Sequence, residues 1–207
     1  MPAIKPPRID RENVIRPEEA ARVAAVLDLL AESPPEERLK AAAQIVDEAQ
    51  AAFDKLRPKR DALGLSLSLY EHRRAVNTAM GLSRTAFHEM RCTALGLTED
   101  ERKSKWLQRQ LDLGDEGKRV IEERARLREV KKVTGASGKI GEVAEQAVRA
   151  EERAKAARAY RDAAAVELSN PPYSWGRREI AEIIGKNASR VSHIKGAAAK
   201  AAAQEET

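Results

Sequence analysis

Two stretches of this chain, Arg74–Arg91 and Arg178–Lys195, align without a gap when Gly81 is set on Gly185. Val76 then matches Ile180, Met80 matches Ile184, Phe87 matches Val191 and Met90 matches Ile194. Apolar residues spaced in this way on either side of a glycine predict two short helices joined by a tight turn. The glycine stands where such a turn needs a residue that tolerates positive φ. Ser83 and Asn187 fit as caps of the helix that follows. Arg73-Arg74 falls on Arg177-Arg178, and Arg60-Asp61-Ala62-Leu63 echoes Arg161-Asp162-Ala163-Ala164 after a three-residue change of length. Self-similarity at about 100 residues predicts a duplicated module, because solenoid repeats are shorter.

The second stretch has the spacing of a helix-turn-helix. It resembles that unit of sigma-factor region 4 and, almost equally, that of plasmid and chromosome partition proteins. In both, a small-x-x-x-Gly turn precedes a helix carrying Val and Ile three apart, here Ala181, Gly185, Val191 and Ile194. Lys186 departs from the sigma type, which places an apolar residue after the glycine, and is closer to the partition type. The resemblance implies DNA binding through a major groove. Arg177, Arg178, Lys186, Arg190 and Lys195 would hold phosphates, and Asn187, Ser189, Ser192 and His193 would read base edges. In the first copy Arg73, Arg74, Ser83, Arg84, Thr85, His88 and Arg91 are the corresponding candidates. Its fit is poorer: Asn77 takes the small residue's place at the helix crossing and needs a partner, and Glu89 on a reading face repels phosphate. Ser68-Leu69-Tyr70-Glu71 is a capping-box pattern that would start the helix before it.

Composition sets the class. Aromatic residues are 3% of 207, so cores must be built from Ala, Leu, Val and Ile. Ala-, Glu-, Lys- and Arg-rich segments favour helix, and no run of alternating β-branched residues predicts a strand. The expectation is an all-α protein of two helical modules, each ending in a helix-turn-helix, joined by long charged helices. Net charge is +5. Between Tyr173 and Lys200 the basic residues Arg177, Arg178, Lys186, Arg190, Lys195 and Lys200 face only Glu179 and Glu182, as phosphate contact requires.

Along the chain, residues 1–16 read as a flexible basic arm and 17–97 as an N-terminal helical domain holding the first helix-turn-helix at 69–94. Its helices are expected at Pro17–Glu32, with a stripe of Val23, Val26, Leu27 and Leu30, and from Ser33 to about Leu56. Residues 98–138 read as connecting helices and linker. One helix opens at Thr98 and runs through Trp106 and Leu111, Gly114 and Gly117 interrupt it, and Lys118–Val133 resumes. Thr134–Gly138 is the expected domain boundary. Residues 139–207 read as a long Ala-rich helix plus the second helix-turn-helix at 177–200. Ile140, Val143, Ala147, Ala150, Ala154 and Ala157 follow a heptad rhythm. They predict either a homodimer through a coiled coil of the 140–168 helix or folding back on Lys118–Val133. Tyr173 and Trp175 are expected beneath the second helix-turn-helix.

Catalysis finds no support in the sequence. His72, His88 and His193 are scattered, no set has metal-ligand spacing, and no Gly-rich loop follows a strand. No cofactor is expected. Cys92, the single cysteine, reads as a structural thiol. No signal peptide or 20-residue apolar span is seen, so the expectation is a cytoplasmic, nucleoid-associated protein with double-stranded DNA as partner. The function expected is transcriptional regulation by sequence-specific DNA binding. The alternatives are a partition or nucleoid-organising protein and a helical protein–protein adaptor.

Overall fold

The computed structural model describes residues 9–205, apart from the side chains of a few residues near its end. Among the described residues it holds ten α-helices and no strand. After a helical turn at Arg11–Ile15 come α1 (Arg16–Leu27), α2 (Pro35–Leu69), α3 (Val76–Ala79), α4 (Arg84–Ala94), α5 (Glu99–Lys103) and α6 (Trp106–Asp112). Then follow α7 (Asp115–Leu127), α8 (Ala136–Ser169), α9 (Arg177–Ile183) and α10 (Ala188–Glu205). The expected arm lies mostly at residues 1–8, outside the described residues. From Arg11 onward the chain is helical, and Ile15 is buried.

Two long helices dominate. α2 opens on Pro35, Glu36 and Glu37, a proline that needs no partner for its missing N–H and two carboxylates at the positive end of the helix dipole. It continues through Pro58 instead of ending near Leu56. An interior proline costs about 3 kcal/mol, and burial of Leu63, Leu67 and Leu69 beyond it offsets that cost. The Ser68–Glu71 pattern therefore falls at the end of α2 and starts no helix. α8 begins at Ala136, inside the expected boundary segment.

The chain divides into two compact units, and both long helices run from one into the other. One unit is built on Phe53–Val148. Leu63 and Leu67 of α2, Val76, Ala79 and Met80 around α3, Phe87 of α4, and Ala136 and Ile140 of α8 form one core cluster there. A second cluster gathers Leu69, Tyr70, Cys92, Leu95, Leu97, Leu107, Ile121 and Ala125 under α5–α7. The buried hydroxyl of Ser66 accepts from Val133 N–H at 2.8 Å, and Tyr70 O–H donates to Val130 O at 2.5 Å. The helix expected from Thr98 is broken by Lys105, at φ 54°, into α5 and α6. Gly114 caps α7 at φ 68°, but Gly117 lies within α7 for a different reason. A Cβ there would stand 1.7 Å from the carbonyl oxygen of Gln110 in α6, so only glycine lets the two helices pass this closely.

The other unit is built on Glu12–Ala52 and the chain from Arg149 onward. Leu39 of α2, Ala164, Ala165 and Leu168 of α8, Ile180, Ala181 and Ile184 around α9, and Val191 and Ile194 of α10 form its main cluster. Trp175 packs on this cluster as expected, whereas Tyr173 is 44% exposed. Val23, Leu27, Ala42, Val46 and Ala157 form the second cluster. Val26 falls off the α1 stripe and is exposed, and α1 stops at Leu27. Glu19 is fully buried beside the guanidinium groups of Arg22, Arg149 and Arg153 at 2.9–3.2 Å. The heptad stripe of α8 is buried within the chain: Ile140 against α2–α4 and Ala157 against α1 and α2. The surface expected to meet a second copy is thus filled from the same chain.

Candidate nucleic-acid interface

The likeness of the two stretches extends to individual hydrogen bonds. In the first copy the N–H of Met80 donates to Val76 O, that of Gly81 to Thr78 O and that of Leu82 to Asn77 O. In the second, Ile184 donates to Ile180 O, Gly185 to Glu182 O and Lys186 to Ala181 O. Each closes its first helix with the same six-to-one bond around a glycine in the left-handed region, Gly81 at φ 65° and Gly185 at φ 59°. Ser83 Oγ then accepts from Ala86 N–H at 3.1 Å, and Asn187 Oδ1 from Arg190 N–H at 3.1 Å. The Arg-Asp echo is also structural. Arg60 donates through Nε and Nη2 to Asp61 Oδ1, and Arg161 does the same to Asp162 Oδ1. Both arginines are nearly buried, at 4% and 3% exposure.

Burial of Ile180, Ile184, Val191 and Ile194 fixes which way the rest of the second pair points. Arg177, Arg178, Lys186, Asn187, Ser189, Arg190 and His193 are exposed, and Ser192 and Lys195 are half-buried. Two shallow grooves flank the start of α10. One is lined by Gly176, Arg177, Arg178, Glu179, Ala188, Ser189 and Ser192, with the Glu179 carboxylate turned back to accept from Gly176 N–H at 2.6 Å. The other is lined by Lys186, Asn187, Ser189, Arg190 and His193 together with Arg158 and Arg161 of α8. Basic groups therefore stand on both sides of a helix face whose own residues are small and polar.

Not every outward residue is chemically free. Ser192 Oγ accepts from Arg177 Nη1 at 2.9 Å and donates to Ala188 O at 3.3 Å. Its hydroxyl is occupied within the pair, which leaves little for an incoming ligand. The oxygen of Asn187 is committed to the cap, while the NH2 group of its amide remains available as a donor. Arg190 lies 3.8 Å from Asp162, the carboxylate that also clasps Arg161. Arg161 stood out in the sequence only for its echo of Arg60, and neither it nor Arg158 was expected at the candidate interface. Their spacing on the helix that leads into the second pair was the available signal.

The first pair differs where charge matters. Arg73, Arg74, Ser83, Arg84 and Thr85 are exposed, as expected from the repeat. Arg91 is turned inward: its guanidinium sits 5.1 Å from the Phe87 ring centre, and its Nε has no partner. Burial pushes its pKa below the usual guanidinium value. His88 is half-buried, with Nε2 3.4 Å from Cys92 Sγ, and burial raises the pKa of that thiol. Asn77 finds its partner in Leu82 O at 3.4 Å. Glu89 is held by Arg102 of α5 at 2.6 Å. Lys186, Arg190 and His193 of the second pair correspond to Leu82, Ala86 and Glu89 here, so the cationic groove has no counterpart on α4.

Comparison with known protein families, characterised proteins and solved structures gave no match. No helix among the described residues is long and apolar enough to cross a membrane.

Proposed function

We propose that this chain is a sequence-specific DNA-binding protein, with transcriptional regulation as its role, and that α9–α10 is a helix-turn-helix whose second helix enters the major groove. One observation carries the reading. Ile180, Ala181, Ile184, Val191 and Ile194 are buried to 5% exposure or less, and small polar residues of α10 face outward between one groove edged by Arg177 and Arg178 and another edged by Lys186 and Arg190. A helix fits the major groove, phosphates flank that groove on both sides, and the cations are placed to meet them. Arg177, Arg178, Lys186, Arg190 and Lys195 hold the register. Ser189, His193 and the amide donor of Asn187 read base edges, with Ser192 withdrawn into the pair.

Selection of duplexes from a random pool tests this. Wild type should enrich a defined sequence, and His193→Ala should relax preference at particular base pairs by roughly 1–3 kcal/mol while leaving others intact. Absence of any enriched sequence, with binding that vanishes at moderate salt, would count against sequence-specific reading. A protein-binding adaptor is the second reading, favoured by Val120 and Leu127 on α7, which are 40% and 78% exposed. Salt-insensitive partner binding without DNA affinity would support it.

A further inference from the structure

The groove between α8 and the start of α10 holds more positive charge than base reading needs, and part of it comes from outside the helical pair. Arg158 stands on α8, where its Nη2 donates to Gln50 Oε1 of α2 at 2.6 Å. That bond steadies a long side chain at the rim of the groove, so less rotamer freedom is lost when it binds. Arg161, clasped by Asp162, forms the wall behind it, and Lys186 and Arg190 face it from the other pair of elements. Asp162 is the carboxylate in contact with this cluster, and its charge is taken up by Arg161 at 2.6 Å and Arg190 at 3.8 Å.

We propose that this groove is a seat for a backbone phosphate of duplex DNA, with Arg158 of α8 as a contact residue lying outside the helix-turn-helix. The inference rests on the DNA-binding reading above and adds to it: the long helix takes part in binding as well as supporting the pair. A guanidinium held by one neighbour still has N–H groups to offer a phosphate oxygen, and its planar fork suits that geometry. The first unit keeps the supporting half of this arrangement, Arg57 and Arg60 with Asp61, and lacks the other half. Leu82 and Ala86 stand where the second unit has Lys186 and Arg190. The seat therefore belongs to one of the two copies.

Salt dependence of duplex binding tests it, using full-length wild type, Arg158→Ala, Arg158→Lys and Arg57→Ala on the selected duplex. Arg158→Ala should reduce the slope of log K against log salt by about 0.9, the value for one phosphate contact, with the preferred sequence unchanged. Arg158→Lys should retain most of the slope, and Arg57→Ala all of it. Replacing single phosphates flanking the preferred sequence by neutral methylphosphonate should weaken wild type at one position and leave Arg158→Ala indifferent there. A wild-type slope in Arg158→Ala, or an equal loss in Arg57→Ala, overturns the seat while leaving the DNA-binding reading standing. Failure of wild type to bind any duplex removes both.

Discussion

Asn187 and Ser83 hold equivalent posts in the two helical pairs, and their caps follow from a local rule: a short polar side chain before a helix finds an N–H without a partner. Local rules of this kind were legible. The inward turn of Arg91 was not, because it depends on the Phe87 ring and on the burial of its neighbours. Glu101 is a second product of tertiary packing. Its side chain closes a capping box with Thr98, where a helix start was expected, but Arg124 of α7 reaches it from 23 residues away. The Arg124 hydrogen bonds, followed by the Thr98 backbone, hold its pKa down to about 2, below an ordinary 4.5. A carboxyl group that binds its proton less readily when folded stabilises the fold above its unfolded pKa. That contribution is complete above about pH 4.5 and is lost as pH falls toward 2. Urea unfolding midpoints between pH 5 and 2 should accordingly fall less in Glu101→Gln than in wild type; parallel curves would mean the pair adds nothing.

At the scale of elements, periodicity located helices better than it located their ends. The α9–α10 pair was legible down to its turn glycine. The break at Lys105 and the passage of α2 through Pro58 were not: nothing local announces a lysine at positive φ, and α2 is carried past its proline by the burial of Leu63, Leu67 and Leu69. Gly117 shows the difference well. In sequence it looks like an interruption, yet α7 runs through it, and what it supplies is space against the backbone of α6. Gly117→Ala should therefore destabilise the chain despite the better helix propensity of alanine, by roughly 1–3 kcal/mol, the usual cost of overpacking. Chemical denaturation would show it as a lower midpoint. A midpoint equal to or above that of wild type would mean that α6 gives way freely.

For the whole molecule, the internal repeat was legible because it is written in residue identities, and the structure carries it into matching hydrogen bonds. The composition of each unit was hidden, since nothing local announces that Leu39 packs in a cluster with Leu168 or Leu63 in one with Ile140. The two helical pairs differ in charge, which gives a prediction at this scale. Arg84→Ala, on the outer face of the first pair, should leave the selected DNA sequence unchanged, whereas loss of half of it would show that both copies read DNA. The discontinuous make-up of the units also orders events in time. As the chain leaves the ribosome, Leu39 of α2 emerges well before the residues it clusters with, the last of which is Ile194. At 5–20 residues per second the wait is roughly eight to thirty seconds. Through that interval Leu39 lacks its native cover, while Val23 and Leu27 of α1 are already present to pack with Ala42 and Val46 further along the same helix, so one face of α2 is sheltered in two instalments.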